Sequence, residues 1–161
     1  MAILLLITAL PLALLWGFTR LSGDAYGPGA GDHAVRRRVL GIYAVAALVL
    51  GPLYTSFFLI FGARWTALGP GFFGVATVAS YVLYRKHHDR LAAIALVWAI
   101  WTAPAWCLLT TGSIYSALLV WLAPSAFMAG PLLGRRASAL AGGASVVFVV
   151  INGLLPAGFI P

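Results

Sequence analysis

Few residues in this sequence have the chemistry for catalysis or ligation. There are three histidines, three aspartates, one cysteine and one carboxamide (Asn152), with no Glu and no Gln anywhere. His87-His88-Asp89 and Asp32-His33 supply all three imidazoles and two of the carboxylates, a donor set that a divalent metal accepts if the two segments meet. The alternative is two solvated pairs on interfacial loops. No His lies inside an apolar run, which removes a haem held by two histidines between helices. No cofactor and no metal is therefore expected, His87, His88 and Asp89 being the candidates should one bind.

Aromatic residues are the second candidate group. Trp98 and Trp101 stand three apart and so share a face of one helix. With Trp121 on the following helix, Tyr54 and Asn152, they are candidate linings of a pocket for a chromophore or other lipophilic molecule. The alternative is an interfacial belt, in which Trp65 and Trp106 are well placed. Cys107 lies in an apolar run and has no second cysteine to pair with. Inside the apolar runs the polar groups are hydroxyls (Thr55, Ser56, Thr77, Ser80, Thr102, Ser125), and no ionisable side chain is among them. That composition disfavours ion-coupled transport and proton relays, which place such groups near the midplane. No intrinsic catalytic turnover is expected.

The elements that must position these residues follow from composition. Of 161 residues, 63% are hydrophobic and 8% charged, with a mean hydropathy of +1.02; a soluble domain carries roughly a quarter charged residues. Apolar runs cover residues 3–18, 39–61, 67–84, 91–109, 117–133 and 137–155. At about 1.5 Å per residue, runs of this length approach or match a bilayer core of about 30 Å. The expected fold is an all-α, polytopic integral membrane helix bundle of about six transmembrane helices in one domain, residues 1–161. The first run lacks a preceding basic residue and a small-residue cleavage site, so it reads as a retained span rather than a signal peptide. The glycine-rich stretch at 27–31 follows no strand and precedes no Gly-Lys-Ser/Thr, and reads as a flexible connector. Pro52, Pro104, Pro124 and Pro131 interrupt the spans, as hinges or as static kinks. Ser138, Gly142, Gly143 and Ser145 offer the last helix a close approach to a neighbour in the same chain or in a second protomer.

Charge sets the expected orientation. Arg20, Arg36, Arg37, Arg38, Arg85, Lys86, Arg90, Arg135 and Arg136 are nine of the ten basic residues and fall at three connections on one side, whereas Arg64 stands alone on the other. By the positive-inside rule the nine face the cytoplasm, and both termini lie outside a bacterial inner membrane. The net charge of +7 is thereby assigned to topology, with the lipid bilayer as partner and no nucleic acid.

Residues 85–93 (Arg-Lys-His-His-Asp-Arg-Leu-Ala-Ala), the turn Thr110-Thr111-Gly112-Ser113-Ile114-Tyr115-Ser116, then Trp121, Pro124, Ala129 and Gly134-Arg135-Arg136 carry a resemblance. Over about residues 36–156 the chain resembles the multi-span input region of bacterial sensor histidine kinases and diguanylate cyclases. Ser113 and Ala117 stand where that pattern has Gly and Pro. The resemblance implies a sensory, ligand-binding module, and the expected reading is such a module without its own catalytic output. A helix at residues 3–18 is expected to pack beside the last or the second helix, where the family has its final inward span. Two other functions fit the same composition. One is an accessory or structural subunit of a membrane complex; the other is a small uncoupled transporter or channel acting as a homo-oligomer.

Overall fold

The computed structural model describes residues 33–111 and 122–154, together with Trp16. The expected span at 3–18 and its packing, the connector at 27–31, Asp32, Trp121 and most of the turn at 110–116 lie outside these residues. Within them the regular structure is helical: α1 (His33–Ile60), α2 (Arg64–Arg85), α3 (Asp89–Thr111), α4 (Ala123–Leu133) and α5 (Arg135–Leu154). Leu40–Ile60, Arg64–Arg85, Asp89–Thr111 and Arg135–Gly153 are each long and apolar enough to cross a membrane. The fifth helix, α4, has 11 residues, about 16 Å of rise and so about half a bilayer core. The chain is thus a helical membrane protein with four long helices and one short one among the described residues, against the six full spans expected.

The helices overrun the hydropathy boundaries. Arg36, Arg37 and Arg38, expected in a loop, sit in the opening turns of α1, and Arg64, Arg85, Arg90, Arg135 and Arg136 are all helical. Helix continues because it satisfies backbone N–H and C=O groups through the interfacial zone, while the side chains of Arg38, Arg64, Arg85, Arg90, Arg135 and Arg136 stay exposed. α1 has 28 residues, about 42 Å, so its basic start extends beyond a core of about 30 Å.

Two Schellman turns reverse the chain. At the end of α1, Gly62 takes the left-handed position (φ 77°), its N–H reaching Leu59 O at 3.1 Å while Ala63 N–H reaches Phe58 O at 2.9 Å. At the end of α2, His87 holds that position (φ 61°), with His87 N–H to Tyr84 O at 3.0 Å and His88 N–H to Leu83 O at 2.9 Å. A left-handed conformation costs a non-glycine residue roughly 1–2 kcal/mol, so His87 is first of all the turn residue of the α2–α3 hairpin.

Packing is organised around α3. It is apolar on every side, and its Ala92, Ala93, Leu96, Val97, Trp101 and Leu108 are all fully buried. α1 and α2 lie on one flank, the α4–α5 hairpin on the other. Glycines set the closest crossings: a Cβ on Gly51 of α1 would stand 2.9 Å from Gly74 Cα of α2, and one on Gly69 of α2 would stand 2.9 Å from Ala103 O of α3. Ser80 Oγ donates to Ala92 O (2.7 Å) across α2–α3, and Ser138 Oγ to Ala126 O (2.7 Å) across α5–α4.

These contacts settle the relative level of the basic groups. Trp101 stands twelve residues into α3 and Ser145 ten into α5, and Trp101 Nε1 donates to Ser145 Oγ at 3.1 Å. That contact places the middles of α3 and α5 at one level, and the α2–α3 turn sets Asp89 beside Arg85 and Lys86 at one end of the bundle. At that end a Cβ on Gly41 would lie 3.7 Å from Tyr84 Oη, which sets the start of α1 beside the end of α2. Six of the ten basic residues (Arg36, Arg37, Arg38, Arg85, Lys86, Arg90) thus gather at one end. Arg64 marks the opposite end, where Thr110 Oγ1 and Thr66 Oγ1 lie 3.1 Å apart.

Candidate functional site

An apolar cleft of about 440 Å³ lies between α1, α2, α3 and α4. α1 contributes Ala46, Leu50, Tyr54 and Phe58 to its wall, and α2 contributes Pro70 and Phe73. Ile100, Pro104 and Cys107 of α3 form its floor, and Pro124, Phe127 and Met128 at the start of α4 complete it. It exists because α1 packs mainly on α2, and α4 on α5 and α3, while α1 and α4 hardly touch, leaving the space between them unfilled. Its volume falls within the range of about 300–1,000 Å³ usual for small-molecule sites.

Prolines and the cysteine shape this cleft together. Pro70 has no N–H, so the carbonyl of Thr66, four residues earlier, loses its usual helical donor. Cys107 Sγ lies 3.7 Å from that same oxygen and donates to it from the neighbouring helix. The lone thiol therefore completes the backbone of α2 at the cleft floor, a role that no spacing within either helix reveals. Pro52, Pro104 and Pro131 also stand inside continuous helices. Pro124, by contrast, sits in the first turn of α4, where a missing N–H costs no helical bond; it starts a helix and does not interrupt one.

Of the described residues singled out for a pocket, Tyr54 lines the cleft, and Trp98, Trp101 and Asn152 do not. Trp101 is fully buried, with its indole N–H on Ser145 and its ring edge-on to Phe148 at 5.5 Å. Trp98 turns toward α2, edge-on to Phe72 at 5.4 Å. The shared face is thus split between two neighbours, and the pair forms no common wall. Asn152 is buried on α5 and does not line the cleft, and its Nδ2 has no hydrogen-bond partner among the described residues. Trp121 lies outside the described residues. Trp65, 60% exposed, receives the indole N–H of Trp106 on its carbonyl at 2.8 Å, at the end of the bundle where a belt belongs.

His87 and His88 are exposed at the α2–α3 turn. Among the described residues no three His, Cys, Asp or Glu side chains gather closely enough to share a metal ion; Asp32 and the side chain of His33 are not among them. The hydroxyls inside the helices are mostly committed. Thr55, Thr77 and Thr102 donate to the carbonyl four residues back (2.8, 2.7 and 2.9 Å), and Ser125 donates to Leu122 O at 2.6 Å. The small residues of α5 divide in the same way: Ser138, Gly142 and Ser145 face α4 and α3 of the same chain, whereas a Cβ on Gly143 would meet nothing within 4 Å.

The fold and cleft together define a helical membrane protein with an apolar intramembrane cavity. Comparison of the chain with protein-family models, with curated proteins and with solved structures finds no match.

Proposed function

We propose that this chain is a ligand-binding, sensory module of the bacterial inner membrane, without catalytic output of its own, whose ligand occupies the cleft between α1, α3 and α4. The observation that carries this reading is the cleft itself, about 440 Å³ of apolar space with Tyr54 as a polar handle at its wall. The resemblance to sensor input regions is in keeping with it. An uncoupled transporter is less well supported, because a polar path needs unspent hydroxyls and four of the six candidates are bonded within their own helices. The broad apolar outer face of α1, with Ile42, Val49, Leu53 and Phe57 exposed, favours a second reading, an accessory subunit packed against another membrane protein.

Purification in mild detergent separates the two. Solvent extraction of the pure protein should release a defined apolar molecule at close to one per chain. Ala46→Phe, which fills the cleft from an exposed position, should weaken its retention by about tenfold, the equivalent of ~1.4 kcal/mol. Stoichiometric partner subunits with no extractable ligand would instead establish the accessory role. The basic end of the bundle is assigned to the cytoplasm. Reporter fusions after His88 and Arg136 should read cytoplasmic and a fusion after Arg64 external; reversal of two of the three would refute the orientation.

A further inference from the structure

We infer that the occupant of this cleft is a hydrocarbon chain of an anionic, phosphate-bearing membrane lipid whose headgroup is held by Arg64. The inference rests on the cleft being a ligand site and adds what the ligand is. The cleft runs from the middle of the bundle, at Ala46 and Ile100, toward the end marked by Arg64. Pro70 and Phe73, which line it, stand six and nine residues into α2, about 9 and 14 Å from Arg64 along the helix. It opens sideways between α1 and α4, where Tyr54 and Phe127 both line it and stay exposed, Phe127 by 77%. A molecule already dissolved in the bilayer reaches this opening without crossing water. The walls carry no ionisable side chain other than Tyr54 and Cys107, and the thiol is committed to Thr66 O. The interior therefore suits a hydrocarbon chain and has nothing to pair with a charged headgroup, which must stay at the rim.

The rim has what the interior lacks. Phe58 lines the cleft and its carbonyl accepts from Ala63 N–H (2.9 Å), so the α1–α2 turn closes directly over the cleft end, with Arg64 the next residue. Arg64 is exposed at this end, while Asp89, the described carboxylate, opens α3 at the opposite end. Arg64 is also the first residue of α2, at the positive end of that helix's dipole. Trp65 beside it is exposed and tied to Trp106, the arrangement of a headgroup-level belt. A guanidinium at headgroup depth binds phosphate oxygens through paired N–H donors.

The test uses the full chain in lipid nanodiscs with phosphatidylglycerol or phosphatidylcholine carrying a photoreactive group in the acyl chain, and maps crosslinked residues by mass spectrometry. Labelling at Tyr54, Phe58 and Phe127 should be about fivefold stronger with phosphatidylglycerol, the preference expected of one basic residue near an anionic lipid. Arg64→Gln should lower it to the phosphatidylcholine level and leave phosphatidylcholine labelling unchanged. Equal labelling by the two lipids in the unsubstituted protein, or a preference that survives Arg64→Gln, overturns the inference. If neither lipid labels the cleft while an extractable apolar molecule remains sensitive to Ala46→Phe, the lipid assignment falls alone. If Ala46→Phe changes neither labelling nor extraction, the ligand cleft falls with it.

Discussion

Alanine at Gly51 or Gly69 should destabilise the bundle by about 1–3 kcal/mol, the range for forcing an extra carbon into a packed interior. At Gly51 the added carbon would stand 2.9 Å from Gly74 Cα and 3.1 Å from Gly74 N, and backbone cannot rotate aside as a flexible side chain can. At Gly69 it would meet Ala103 O at 2.9 Å, Cys107 Sγ at 3.0 Å and Trp106 Cδ1 at 3.1 Å, so α2 must lift off α3 and strain the thiol bond to Thr66 O. The same substitution at Gly74 meets its nearest atom at 3.9 Å, and at Gly143 meets nothing within 4 Å. Those two should be neutral or stabilising by about 0.5–1 kcal/mol, because alanine is the better helix former. Unfolding of the four variants in mixed micelles reads the contrast directly. Equal losses at Gly51 and Gly74 would show that α1 and α2 do not cross as described.

Trp101→Ala is expected to be the most damaging single change, about 3–5 kcal/mol, as for other large-to-small aromatic truncations in cores. The ring is fully buried at the junction of α3 and α5, stacked edge-on against Phe148 and bonded through Nε1 to Ser145. Its removal opens a void where the two halves of the bundle meet. The hydrogen bond is the minor part: Trp101→Phe keeps most of the ring and should lose only about 0.6–1.7 kcal/mol, the range found for side-chain bonds between membrane helices. Ser145 keeps a second bond, donating to Ala141 O at 2.8 Å. Adding Ser145→Ala to Trp101→Phe should therefore cost little more. Trp98→Ala, at a half-buried site against Phe72, is the internal comparison. A loss for Trp101→Ala no larger than for Trp98→Ala would mean that Trp101 is not the joint between the halves.

Sequence alone determined that the chain is helical and membrane-spanning, and where most helices lie. Hydrocarbon offers no partner to an open backbone group, so a long apolar run in it has helix as its main solution, and hydropathy becomes a nearly direct readout of secondary structure. The same signal misplaces ends, since it reports where side chains stop being apolar and not where the backbone stops being helical; Arg36–Arg38 and Arg64 show the difference. Clustering of Arg36–Arg38, Arg85, Lys86 and Arg90 at one end was likewise legible, because their spacing matched the alternation of the first three described helices.

What each side chain touches was decided only by the tertiary structure. Trp98 and Trp101 are about 60° apart around α3, a narrow angle for a helix with one neighbour but enough on a central helix to aim one at α2 and the other at α5. The partnership of Pro70 with Cys107 depends on which turn of α3 crosses which turn of α2, and Gly69 is what lets them approach. Tyr54 reaches the cleft, and Trp101 does not, because the cleft is the space that α1 and α4 leave unfilled. A void is a property of how helices diverge, and no residue in the chain encodes it by type or spacing.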